Sequence, residues 1–81
     1  MDVRKKVLKE ALEMNCDSWE KQSQDRALDV YMRYTTLMGW IIDLIHKGER
    51  VCLITILEKE EIISYIKETF KGWTRVKIHI A

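Results

Sequence analysis

The sequence predicts a small α/β fold, with an α+β arrangement as the other class its elements allow, in the order α-α-β-α-β. Two kinds of pattern carry this. Three segments repeat apolar residues at the three- and four-residue steps of a helix face, while the run VCLITIL at 51–57 and the alternating tail WTRVKIHIA read as strands.

In the first segment Val3, Val7, Leu8, Ala11 and Leu12 recur along one face of residues 3–14, opposite Arg4, Lys5, Lys6, Lys9, Glu10 and Glu13. Residues 15–18 break that pattern. Asp17 with Glu20 has the form of a capping box, and Ser23 is a rival cap, so a second helix is expected over 17–47. It is apolar almost all round between Leu37 and Ile45 and stops at Gly48, which can take the left-handed conformation past a helix end.

Val51–Leu57 is apolar except at Thr55 and rich in β-branched residues. A third helix is expected over 58–71: Glu58, Glu60 and Glu61 suit its first turn, Lys67 and Lys71 its last, and Gly72 its C-terminal stop. Ile62, Ile63, Ile66 and Phe70 form its apolar stripe. In the tail, Val76, Ile78 and Ile80 point one way and Arg75, Lys77 and His79 the other. A strand, a crossover helix and a strand make a βαβ unit. A sheet of two strands per chain leaves apolar surface uncovered, so the expectation is a sheet packed by helices and completed by dimerisation.

Composition bounds what such a chain does. At 81 residues it makes one domain, 1–81, and a domain of this size buries only about 60% of the surface its unfolded chain exposes. Fourteen basic against thirteen acidic side chains leave a formal charge of +1, which excludes a whole-molecule field for nucleic acid or an anionic membrane. The charged N-terminus lacks the pattern of a signal peptide, and no apolar stretch reaches the ~20 residues of a membrane span. A cytoplasmic protein is expected.

Catalytic and metal signals are weak. Cys16, His46, Cys52 and His79 lack the paired short spacing of a zinc site, and two cysteines do not make a disulfide framework, so no metal, cofactor or disulfide is expected. Asp43 and His46, three apart on the expected second helix and near Glu49 and Cys52, are the best acid–base set. No phosphate loop or nucleophile elbow accompanies them, and the expectation is that the chain is not an enzyme and has no small-molecule substrate.

Binding signals are stronger. Tyr31, Tyr34, Met38, Gly39 and Ile41 give an aromatic, Met-containing helix surface of the kind found at interface cores, with a glycine that admits close approach. They predict a protein-binding, regulatory or accessory module whose first partner is a second copy of itself, beside a further macromolecule. The alternative is nucleic acid, bound by Lys71, Trp73, Arg75, Lys77 and His79 on the outer face of the last strand.

Overall fold

The structure, a computed structural model, describes residues 2–81. It is an α+β fold of two helices and a four-stranded mixed sheet.

Helix α1, Val3–Gln22, starts where the Asp2 carboxylate accepts the Arg4 backbone N–H at 2.9 Å. It runs straight through the break expected at 15–18. Cys16 and Trp19 extend the buried stripe of Leu8 and Leu12 at helical spacing, which outweighs the local preference of Asn15 to leave the helix. The Asn15 side chain donates to the Ala11 carbonyl, one turn back, at 2.8 Å.

The second helix expected over 17–47 does not exist beyond Gln22. Its residues form strand β1, Ala27–Thr35, and strand β2, Gly39–His46, paired antiparallel with Tyr34 opposite Trp40. On β1 the buried residues Leu28, Val30 and Met32 alternate with Asp29, Tyr31 and Arg33, a period of two that no helix produces. The turn between these strands closes with Met38 N–H donating to the Thr35 hydroxyl, and Gly39 takes φ 84°.

Lys47 and Gly48, at φ 51° and 81°, form the two-residue turn into strand β3, Glu49–Thr55. Positive φ at both positions is the type I′ geometry that matches strand twist. Helix α2, Lys59–Thr69, agrees with the expected third helix to within about two residues, inside ordinary boundary scatter. Ile62 and Ile66 are fully buried, and Phe70 caps its C-terminus. Strand β4, Arg75–Ile80, has the expected alternation but pairs parallel with β1, not with β3.

The sheet order is β3-β2-β1-β4. The two-stranded sheet completed by a second copy is therefore corrected: one chain supplies all four strands, because 27–46 yields two of them. The expected β-α-β unit is present in chain order, with β1 and β2 lying between its strands.

Leu8, Leu12, Cys16 and Trp19 of α1 and Ile62, Ile66 and Phe70 of α2 share one core with Leu28, Val30, Met32, Ile42 and Leu44. Both helices thus cover the same face of the sheet, and 17 Å along the shortest axis accommodates those two layers. On β3, Val51 and Leu53 turn partly inward while Cys52 and Ile54 are exposed, so the apolar run at 51–57 is not covered on both faces.

Candidate partner-binding surfaces

Two surfaces emerge. The first is an apolar slot of about 360 Å³ between the N-terminal half of α1 and the outer edge of β3, lined chiefly by Val3, Val7, Ala11, Leu53, Ile54 and Ile56, with Met38 and Arg4 at its margins. Amphipathicity explains the helix side: Leu8 and Leu12 are spent on the core, and Val3 and Val7 overhang it. Val3 is 70% exposed, Ile56 63%, and Leu37, in the neighbouring turn, 92%. So much uncovered apolar surface at one end is unusual for a chain that acts alone.

The geometry of that end depends on Gly39. A Cβ there would lie 2.7 Å from the Thr55 carbonyl oxygen, so glycine lets the β1–β2 turn fold against the end of β3. Tyr34 stays exposed at the same end and meets Trp40 edge-on at 5.5 Å.

The second surface is the sheet face opposite the helices. Register places Cys52, Asp43, Tyr31 and His79 in one row across the four strands. Tyr31 and His79 stack at 4.4 Å with rings nearly parallel. Arg75 donates to both carboxylate oxygens of Asp29, at 3.1 and 3.2 Å, and this holds the Asp29 carboxyl below its ordinary range. Arg50 donates to Asp43 at 3.2 Å. Burial, then hydrogen bonding with Asp43, pushes the Cys52 thiol up. Arg33 and Lys77 have no ion-pair partner among the described residues.

The expected protein-binding residues are divided between these surfaces. Tyr31 and Ile41 lie on the open face, while Tyr34, Met38 and Gly39 lie at the slot end. They do not share a helix face. Of the nucleic-acid set, Arg75, Lys77 and His79 share the open face as expected. Lys71 instead lines a polar cleft between α1 and α2 with Lys9 and Glu68.

Trp73 is buried at 7% exposure, its indole N–H donating to Glu20 at 2.9 Å, so it has no free ring to stack a base. It belongs to an aromatic cluster with Trp19, Phe70 and His46. The His46 Nδ1 lies 3.0 Å from the Ala27 carbonyl oxygen, and the Trp19 indole donates to Glu49 at 3.0 Å.

The acid–base set is not assembled either. Strand geometry sends Asp43 and Cys52 to the open face, and His46 and Glu49 to the helix side. Cys16 packs beneath α2, where burial pushes its thiol up to about 11. No three His, Cys, Asp or Glu side chains among the described residues come together as a metal site. No helix among them is long and apolar enough to cross a membrane.

Val3, Val7, Leu37, Ile54 and Ile56 are the residues that sequence reasoning missed as a surface. Val3 and Val7 carried a signal, since they lie off the line that Leu8, Leu12, Cys16 and Trp19 follow along α1. Set against family models, curated proteins and solved structures, the chain matches none of them.

Proposed function

We propose that this chain is a protein-binding module, regulatory or accessory in role, that works in the cytoplasm without catalysis of its own and counts a second copy of itself among its partners. The observation that carries this reading is the slot: Val3, Val7, Ile54 and Ile56 surround an apolar recess at one end of the molecule, with Leu37 beside it. An apolar centre with charge at its margin, here Arg4, is the anatomy of a protein interface. The surface differs from the expected one in being built from a helix start, a turn and a strand edge.

Affinity enrichment with wild type, Val7→Glu and Lys77→Glu tests the proposal. Recovery of a protein by wild type and Lys77→Glu, and its loss with Val7→Glu, is the expected result. Equal recovery by Val7→Glu would contradict it.

One observation favours nucleic acid as a second reading. The Tyr31–His79 stack lies beside Lys77, and Arg33 is also on the open face, neither cation being held in an ion pair among the described residues. Phosphate contacts would make such binding fall steeply with salt and depend on Lys77. The pairing of Arg75 with Asp29 removes one of the cations on which that reading relies.

A further inference from the structure

The backbone at the slot is as open as its side chains. Strand β3 is the last strand of the sheet, so one side of it has no neighbour. The two-residue turn settles which groups are free. In such a turn the His46 carbonyl accepts the Glu49 N–H, making these two a bonded pair. Bonded and non-bonded pairs alternate along an antiparallel ladder, so Val51, Leu53 and Thr55 also bond to β2. The N–H and C=O groups of Arg50, Cys52 and Ile54 therefore point out of the sheet.

The charges of this edge are confined to Glu49 and Arg50 at the start of β3. From Val51 to Thr55 it has no charge and no proline, and its register with β2 runs without a bulge. The opposite edge, β4, is different, with Arg75 and Lys77 along it. Helix α1 leaves Val3 and Val7 uncovered beside the end of β3, so a strand added there would meet apolar side chains already in place.

We propose that the slot receives β3 of a second copy, paired antiparallel edge to edge about a two-fold axis at Cys52, so that two four-stranded sheets become one of eight. This rests on the protein-binding reading and names the partner at that same surface. Outward-bonding residues must face outward-bonding residues in such a pair, and centring on Cys52 satisfies this along the whole strand.

Cys52 then faces its own copy, and Arg50 faces Ile54. On the helix side Val51 faces the second copy's Leu53, which brings those apolar residues toward Val3, Val7 and Ala11. Glu49 faces the second copy's Thr55 and approaches the end of its slot where Arg4, already paired with Asp2 at 2.9 Å, carries the opposite charge.

Cysteine cross-linking tests the register. The Cα atoms of a bonded antiparallel pair are about 5.5 Å apart, within the span of a disulfide. Diamide, which takes up the two electrons and two protons released by two thiols, should convert wild type into a covalent dimer. Cys52→Ser should abolish that product. Cys52→Ser with Ile54→Cys should not restore it, because each new thiol then faces Arg50.

Ile54→Pro removes an outward donor without touching the ladder to β2 and should weaken association by about tenfold or more while circular dichroism is retained. A monomeric wild type by sedimentation would overturn the proposal, as would cross-linking of the Ile54→Cys variant equal to that of wild type. Loss of protein capture in Val7→Glu alongside a monomeric wild type would leave the protein-binding reading standing and remove only the self-pairing.

Discussion

His46 and Glu49 face one another across the Lys47–Gly48 turn, and this pairing decides which backbone groups of β3 bond within the sheet and which meet solvent. It also sends the two side chains toward the helix layer, where His46 packs against Trp19 at 5.3 Å and Glu49 accepts the Trp19 indole N–H. One turn thus connects the core to the free edge.

Trp19 should be the most costly side chain to remove. It is buried to 1% and touches His46, Phe70 and Trp73, so Trp19→Ala should lose about 3–5 kcal/mol in urea denaturation. Glu49→Gln keeps an acceptor for the indole and should cost far less. Comparable losses from the two would mean that the charge, not the packing, holds this corner.

The two turn glycines should respond unequally to alanine. Both have positive φ, which costs an L residue roughly 1–2 kcal/mol. At Gly48 the added Cβ meets nothing within 4 Å, whereas at Gly39 it also meets the Thr55 carbonyl at 2.7 Å. Gly39→Ala should therefore be clearly less stable than Gly48→Ala, and equal melting temperatures would contradict the close approach of the turn to β3.

Acid should weaken the fold partly through Asp29. The Arg75 guanidinium holds the folded carboxyl below its ordinary value, so the pairing stabilises the fold above the unfolded carboxyl's pKa and is lost as pH falls through the lowered one. Both groups are solvent-exposed, so screening keeps the contribution of the pair small. Asp29→Asn should be slightly less stable than wild type near neutrality, and the two should converge in urea titrations as pH falls through the lowered value. A gap constant with pH would sink this assignment.

The cysteines should separate by accessibility. Cys16 is buried and its thiol pushed up to about 11, while Cys52 is exposed on the open face. A thiol reagent at pH 8 should label Cys52 in the native protein and Cys16 only on unfolding. Cys52→Ala should cost under about 1 kcal/mol, less than its place in an apolar run suggests, because no cavity forms at an exposed position. Native-state labelling of Cys16 would show the helix layer to be looser than described.

The sequence showed some of this and hid the rest for physical reasons. Helix 58–71 and the alternation of the last strand were legible because each has a single uncovered side, which leaves a clean period. The 27–46 hairpin was not. Ile41 and Ile45 on the open face fill the gaps between Trp40, Ile42 and Leu44, so β2 shows no alternation, and an apolar run that dense also fits a buried helix. Its β-branched and aromatic residues, Val30, Tyr31, Tyr34, Thr35 and Ile42 among them, were the signal for strands.

Gly48 reads as a helix stop because a left-handed glycine serves both purposes. Tyr34 and Met38, expected on a helix surface, lie instead beside a turn. Trp73 was misplaced because its partner, Glu20, is 53 residues away in the chain.

The central claim, that β3 offers its outer edge to a second copy, is tested most directly by residue-resolved amide hydrogen exchange across a dilution series. Val51 and Leu53 bond to β2 and should be protected at every concentration. Arg50, Cys52 and Ile54 should be protected in concentrated protein and lose that protection together on dilution, in step with the sedimentation mass falling to the 9.7 kDa of one chain. Free exchange of these three amides at all concentrations, with Val51 and Leu53 still protected, would contradict the account.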